Sequence, residues 1–216
     1  MAEGYSILVD TSKCTACRGC QIACKQWNQL PGTETKNLGT YQNPQDLSAE
    51  TWKLVRYAEG SGTNGKAYWR FFSEQCRHCI SPGCMGEVSA EEIIQDEKTG
   101  AVVFTDKTKK LDFKGVKEGC PYNIPRQDAK TKQMFKCTMC FDRISNGMIP
   151  ACVKSCPTGT MQFGERDKIL AAAKKRVEEL KKSYPKAAAL NADDVRVIYI
   201  VVDDPKIYHK YAAGKS

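Results

Sequence analysis

The sequence predicts an α+β protein with little regular sheet, and three observations lead to this prediction. Twelve cysteines in 216 residues are gathered into short groups rather than spread along the chain, so thiolates bound to metal would replace part of a hydrophobic core. The runs of β-branched or aromatic residues that are typical of strands are all short in this sequence. One amphipathic pattern near the C-terminus predicts a helix, with an apolar face and a lysine-rich face.

The predicted elements are short and are separated by polar or glycine-rich segments. Strands are expected at 5–10, 52–57, 68–73, 101–105 and 195–202, and the helix at 167–182. A turn-rich stretch at 59–65 follows the second strand, and the tail from Lys210 is expected to be loose. Long irregular segments in a compact domain are usually functional or disordered. Residues 31–65 are therefore predicted to be an inserted loop region that contacts a partner.

The first cysteine group has three thiols at every third residue and a fourth after three more. A short loop around a compact body can direct Cys14, Cys17 and Cys20 to one centre. Cys24 then points away, as in the bacterial ferredoxin run, whose last cysteine ligates the other cluster of a pair. Zinc sites draw instead on separated cysteine pairs. This spacing favours iron–sulfur clusters over structural zinc.

The remaining cysteines complete three sets of four. The ferredoxin rule sends one Cys-Pro cysteine back to close the first trio, and Cys156-Pro157 is the simplest choice. Set one is then Cys14, Cys17, Cys20 and Cys156; set two is Cys24, Cys137, Cys140 and Cys152; set three is Cys76, Cys79, Cys84 and Cys120. Each set is predicted to hold one [4Fe-4S] cluster, in a chain made of two ferredoxin-like modules with long loops.

A fourth set is missing as a whole. A full four-cysteine run ending at Cys120 would need three earlier thiols, but those positions hold Lys110, Phe113 and Val116. A full run starting at Cys76 would export a later thiol, but that position holds Val88. The pattern indicates an internal repeat of two paired-cluster modules, one of which has lost a site. The predicted bounds are 1–30 with 131–165 for two clusters, 66–130 for one, and 166–216 for a C-terminal helix and strand.

Composition limits the expected partners. The formal net charge is +8 with neutral cysteines; a cluster with four thiolates carries about −2, so three would leave about +2. Nucleic acid is therefore not an expected partner.

No run approaches the roughly 18 apolar residues of a membrane span, and residues 1–10 have no signal-peptide pattern. No phosphate loop, dinucleotide fingerprint or nucleophile–base pair is present, so no catalytic residue is predicted in this chain.

Residues beside the cysteines are candidates for tuning the clusters. Positive charge near a cluster stabilises the added electron and raises its reduction potential; a solvated side chain is the alternative. Four basic residues adjoin predicted ligands: Lys25, Arg77, Lys136 and Lys154. His78, between Cys76 and Cys79, is expected in a solvent-facing loop.

The cysteine framework and its flanking residues resemble a known family. It is the iron–sulfur, electron-transfer subunit of molybdenum or tungsten bis-pterin oxidoreductases, and most of all the small subunit of soluble, heterodimeric formate dehydrogenases. The resemblance covers nearly the whole chain. It rests on CTACRGCQIACKQWN at 14–28, CRHC at 76–79, and segments 99–105, 120–126 and 136–164.

The resemblance implies a role in electron transfer. Such a subunit passes electrons singly along three [4Fe-4S] clusters between a catalytic partner, which carries the Mo or W bis-pterin cofactor, and a soluble acceptor such as a cytochrome of the c type. It also implies export of the folded heterodimer on the partner's twin-arginine signal, hence the periplasm. Three alternatives stay open: a partner that reduces a sulfur oxyanion or another oxo-compound, a stand-alone polyferredoxin, and a zinc-dependent nucleic-acid module.

Overall fold

The computed structural model describes residues 3–62, 65–86, 88–89 and 91–215. It has the α+β architecture with little regular sheet that the sequence predicts. In chain order the elements are β1 (Tyr5–Asp10), α1 (Gly19–Trp27), β2 (Leu54–Ser61), β3 (Ala67–Glu74), β4 (Ile93–Gln95), β5 (Val102–Phe104), α2 (Phe113–Glu118), β6 (Arg126–Gln127), β7 (Met134–Phe135), α3 (Phe141–Ile144), α4 (Ala151–Lys154), β8 (Met161–Glu165), α5 (Arg166–Lys181), β9 (Ala188–Leu190), β10 (Val197–Val201) and α6 (Pro205–Tyr208).

A four-stranded sheet in the order β8-β1-β10-β9 lies at the centre of the molecule. β1 runs parallel to β10 and antiparallel to β8, with Ile7 opposite Val197 and Val9 opposite Met161. Every residue of β10 is buried, as expected of a β-branched strand that is covered on both faces. α5 packs against β1 and β8. The C-terminal helix and strand therefore close over the N-terminal strand.

This sheet determines where the first cysteine group lies. β1 ends at Asp10, shortly before Cys14, and β8 begins at Met161, shortly after Cys156. The Asp10 N–H donates to the Thr160 carbonyl at 2.8 Å. Antiparallel pairing thus holds two loops from opposite ends of the chain side by side.

The hairpin of β2 and β3 leads directly into the second cysteine group. Leu54 pairs with Glu74 across the hairpin, so Lys53 and Gln75 lie opposite each other just beyond the paired residues. Cys76 follows immediately. β2 continues to Ser61, past the predicted start of the turn at 59, because its pairing with β3 extends that far. Residues 63 and 64 of that predicted turn lie outside the described residues.

The C-terminal tail is not loose, which corrects the sequence-based expectation. Ala212 is buried, and its carbonyl accepts a hydrogen bond from Arg77 Nη2 at 2.7 Å. The Lys215 N–H donates to the Pro121 carbonyl at 2.8 Å. The tail is therefore held against two of the cysteine loops, a long-range contact with no periodic signal in the sequence.

The predicted division into cluster modules stays a prediction. The central sheet joins strands from the predicted segments 1–30, 131–165 and 166–216. In the parts of the chain that the structure describes, none of the helices has the length and apolar character that crossing a membrane requires.

Candidate functional site: three groups of cysteine thiols

The twelve cysteines are free of disulfides and come together in three groups of four. The groups are defined by which thiols act on one another electrostatically and by the cavities that they line. They contain the same residues as sets one, two and three. That each set ligates a cluster stays a prediction.

Set one lies in the loop between β1 and α1, against the segment that leads into β8. Burial and, to a smaller extent, the negative charges of its three partners in the set raise the pKa of the Cys14 thiol to about 11. Cys20 is buried, with its Sγ 3.3 Å from Ser73 Oγ. Cys17 is exposed. This set therefore reaches the protein surface at one edge.

Set two lines a small cavity and all four of its thiols are buried. Cys20 and Cys24 are four residues apart on α1, so they lie about one turn apart on the same face, and Cys24 faces set two. Burial, followed by the charges of its three partners, raises the pKa of Cys24 well above its ordinary value. The Met139 N–H donates to Cys137 Sγ at 3.3 Å, and Asn28 Nδ2 lies 3.7 Å from Cys24 Sγ.

Set three lines a second small cavity, between the loop after β3 and the loop after α2. Burial, followed by the charges of its three partners, raises the pKa of the Cys79 thiol to about 12. The His78 N–H donates to Cys76 Sγ at 3.4 Å, and the Ile124 N–H donates to Cys120 Sγ at 3.5 Å. Each half of this set thus places a backbone donor on a sulfur.

Three of the four Cys-x-x-Cys turns share one backbone conformation, those that begin at Cys14, Cys76 and Cys137. In each of these three, the residue two positions after the first cysteine has a left-handed φ: 55° at Ala16, 47° at His78 and 59° at Met139. L-residues rarely adopt this conformation. Here it directs the N–H of that residue to the sulfur of the preceding cysteine. The sequence repeat is therefore accompanied by a backbone repeat.

The donor sets fit iron–sulfur clusters. Each supplies four thiols, which are soft ligands that select Fe–S clusters or zinc, and each places hydrogen-bond donors on its sulfurs. Such donors stabilise thiolate ligands and help to set cluster potentials. Within the described residues, no three or more His, Cys, Asp or Glu side chains are placed to hold a single metal ion.

Two of the four basic residues beside the cysteines are buried. Lys136 Nζ lies 4.8 Å from the Phe104 ring centroid, and the Arg77 guanidinium lies 3.8 Å from that of Tyr199. Both cations are nearly inaccessible to solvent. Lys154, in contrast, is exposed. Position next to a cysteine in the sequence therefore does not decide which cation lies in a low-dielectric environment.

His78 is buried rather than solvent-facing, which corrects the sequence-based expectation. Its Nδ1 accepts the Val102 N–H at 2.9 Å. Burial, followed by the positive charges of Lys136 and Arg196, holds the pKa of His78 well below its ordinary value. The neutral ring packs between the set three loop and β5, and its burial depends on residues that are distant in the sequence.

Three polar side chains that the sequence analysis missed face the thiols: Lys53, Ser73 and Gln75. All three are buried. Lys53 Nζ donates to Gln75 Oε1, and Gln75 Nε2 lies 3.8 Å from Cys137 Sγ. The available signal was a polar residue at the buried end of each predicted strand of the hairpin, where an apolar one would be expected.

Two glycines permit the close backbone contact within set three. A Cβ on Gly119 would lie 2.4 Å from the Gly83 carbonyl oxygen, and a Cβ on Gly83 would lie 2.5 Å from that of Gly119. Neither separation is sterically allowed. Because each glycine directly precedes a ligand candidate, Cys120 and Cys84, this contact brings those two cysteines together.

We expect Gly119→Ala to disrupt set three and to spare the other sets. The atom in the way belongs to the backbone, so the methyl group must push the Cys84 loop away. Iron and acid-labile sulfide in the purified protein should each fall by about four atoms per chain. Gly32→Ala is the matched control, since a Cβ there has no neighbour within 4 Å. Full iron content in Gly119→Ala would show that the glycine contact is dispensable.

Comparisons with known proteins identify a matching iron–sulfur domain and several similar chains. The 4Fe-4S dicluster domain family matches residues 67–166, a segment that contains eight of the twelve cysteines. The chain is 51% identical over 213 residues to "Formate dehydrogenase 2 subunit beta (cytochrome c-553)" of Nitratidesulfovibrio vulgaris Hildenborough, a match that covers 96% of this chain and 97% of the relative. It is 50% identical over 218 residues to the formate dehydrogenase subunit beta of Megalodesulfovibrio gigas, covering 99% and 100%.

A more distant relative shows the same relationship. The iron–sulfur subunit of the nitrate-inducible formate dehydrogenase of Escherichia coli K12 is 38% identical over 208 residues, covering 94% of this chain and 70% of the relative. These alignments extend over nearly the whole chain and confirm the resemblance predicted from the cysteine framework. The chain belongs to the family of iron–sulfur (beta) subunits of formate dehydrogenases.

Proposed function

We propose that this formate dehydrogenase subunit relays electrons one at a time through three [4Fe-4S] clusters, between a catalytic subunit with a Mo or W bis-pterin cofactor and a soluble acceptor such as a cytochrome of the c type. The observation that carries the proposal is the gathering of twelve thiols into three groups of four, each completed from a distant part of the chain. The name of the Nitratidesulfovibrio relative, which includes cytochrome c-553, supports the choice of acceptor.

The chain's own residues would hold and shield the clusters. A bound [4Fe-4S] cluster supplies one-electron redox chemistry. The three thiol sets supply the ligands, and the left-handed turns supply N–H donors to the sulfurs. Burial of all four thiols of set two and of two thiols of set three, Cys76 and Cys120, would keep water away. Neighbouring buried cations set the local charge, and through it the potentials.

Electrostatic interactions between thiols of different sets support the order one, two, three. Burial raises the pKa of the Cys152 thiol; the charge of Lys53 opposes this rise, and the charge of Cys20 adds to it. Burial, followed by the charge of Cys76, raises the pKa of the Cys137 thiol to about 12. Set two therefore has a neighbour from set one on one side and a neighbour from set three on the other. We take it as the middle of the path.

The exposed edge of set one is our candidate for contact with the catalytic subunit. Cys17 is exposed there, and Tyr41 and Trp69, with 60% and 48% of their surface exposed, lie nearby with ring centroids 5.5 Å apart. Arg18 links the aromatic group to the cysteine loop, because its Nε donates to Tyr57 Oη at 3.1 Å. Exposed apolar patches mark interaction sites. Tyr41 and Tyr57 belong to the segment 31–65 that the sequence analysis assigns to a partner.

Assays of the purified complex test this function. We expect formate to reduce both an artificial dye and a c-type cytochrome, and gel filtration to show the chain in a stable larger complex. A lone chain with full clusters would support the polyferredoxin alternative. Activity with another oxo-compound but not with formate would identify a different bis-pterin partner. Zinc in the purified protein, without acid-labile sulfide, would refute the electron-transfer proposal.

Location in the periplasm stays a prediction that rests on the family resemblance. Export of the folded heterodimer on a signal carried by the partner would place the complex there. Cell fractionation with marker enzymes for periplasm and cytoplasm tests it, and a complex found with the cytoplasmic marker would contradict it.

A further inference from the structure

Lys53 is a buried cation that no sequence motif identifies. It directly precedes β2, and only 2% of its surface is exposed. Its side chain lines the cavity of set two together with Gln75. The Nζ donates to Gln75 Oε1, a neutral amide, so this hydrogen bond satisfies a donor without balancing the charge.

The charge of Lys53 has no carboxylate partner among the ion pairs of the described residues. An isolated buried ammonium is costly, and such groups are normally paired or lose their proton. The four thiols of set two line the same cavity as Lys53, and a cluster with four thiolates carries about −2. A cluster held there would therefore supply the anion that balances this lysine.

The position of Lys53 connects two thiol sets. The thiols with the strongest electrostatic effect on Lys53 are Cys152, in set two, and Cys20, in set one. Its hydrogen-bond partner Gln75 lies beside a third thiol, with Nε2 3.8 Å from Cys137 Sγ. Set three has its own buried cation: the charge of Lys136 opposes the rise in the pKa of Cys84 that burial causes. Lys53 is thus placed to act on sets one and two and not on set three.

We propose that Lys53 is a tuning residue shared by sets one and two, whose fixed buried charge raises the reduction potentials of both clusters together. A positive charge in a low-dielectric site favours the state with the added electron. Because one residue faces both sets, its charge shifts both potentials in the same direction and leaves the driving force between the two clusters largely unchanged. This inference rests on the proposed function, since it requires clusters in these sets.

Redox titration of the intact complex, followed by electron paramagnetic resonance, tests the role of Lys53. In Lys53→Met, the reduced-to-oxidised ratios of the set one and set two clusters at fixed potential should each fall by about tenfold, which for a one-electron centre is about 59 mV. The set three potential should stay unchanged. Signals are assigned to sets by their absence from Cys14→Ser, Cys24→Ser and Cys84→Ser.

Matched variants separate charge from packing. Lys154→Met removes an exposed lysine that lies two residues after Cys152, and it should leave all potentials unchanged because solvent screens its charge. Lys53→Arg, which keeps the charge, should have set one and set two potentials close to those of the wild type. Should Lys53→Met lose iron, Lys53→Gln, which keeps a polar group beside Gln75, is titrated in its place.

The outcomes that overturn the inference differ from those that overturn the proposed function. Unchanged potentials in Lys53→Met with full iron would exclude a tuning role, and loss of iron from both Lys53→Met and Lys53→Gln would make Lys53 a structural residue. If none of the three cysteine variants lost a signal that the wild-type complex shows, the ligand sets and the proposed function would instead be refuted.

Discussion

Cys24→Ser is expected to remove the cluster of set two and to leave that of set one intact, although Cys24 shares a helix with Cys20. The reason is the direction of the side chain, since Cys24 faces the cavity lined by the other three thiols of set two. A serine oxygen is a hard ligand that replaces a soft thiolate. Iron and acid-labile sulfide in the purified complex should each fall by about four atoms per chain.

Double variants identify which set Cys24 serves. Cys24→Ser combined with Cys137→Ser should lose no more iron than either single variant, because both residues serve one cluster. Cys24→Ser combined with Cys14→Ser should lose about eight iron atoms, because independent sites add. Additive loss in the first pair, or loss of only one cluster in the second, would show that the pairing is wrong.

The local parts of the fold could be predicted because their signals are local. β1 occupies the predicted residues 5–10, and α5, Arg166–Lys181, starts and ends one residue before the predicted 167–182. Alternation and helical periodicity depend on neighbours a few residues away. The separation of Cys24 from Cys20 also follows from a short-range rule, because a cysteine four residues further along a helix lies one turn further along the helix axis.

The features that could not be predicted depend on contacts between distant residues. His78 is buried by β5, and the tail is held by Arg77 and Pro121. Lys53 is buried because the β2–β3 hairpin sets it opposite Gln75 and against set two. None of these contacts leaves a periodic trace in the sequence. Proximity to a cysteine in the sequence identified the buried Arg77 and Lys136 but also the exposed Lys154, and it missed Lys53.

Cys137→Ser is expected to stop electron flow from formate to the cytochrome, whichever end of the path takes up the electrons. Cys152 of set two lies within electrostatic range of Cys20 of set one, and Cys137 lies within range of Cys76 of set three. Removing the cluster from the middle set therefore separates the two terminal sets. Reduction of a small dye, which can take electrons at the catalytic subunit itself, should continue. The measured quantity is the ratio of cytochrome reduction to dye reduction, which should fall to background.

Thr138→Ser is the matched control, since it changes the next residue and keeps every thiol; its ratio should equal that of the wild type. Cytochrome reduction and dye reduction are measured on the same purified complex. A folding defect would lower dye reduction as well, and this distinguishes it from a loss of electron transfer between the sets. If Cys137→Ser lacked the set two cluster but reduced the cytochrome in proportion to the dye, electrons would bypass set two, and the linear order of the sets would be wrong. A fall confined to the cytochrome arm has a direct physical cause: electron transfer needs neighbouring carriers, and set two is the neighbour that sets one and three share.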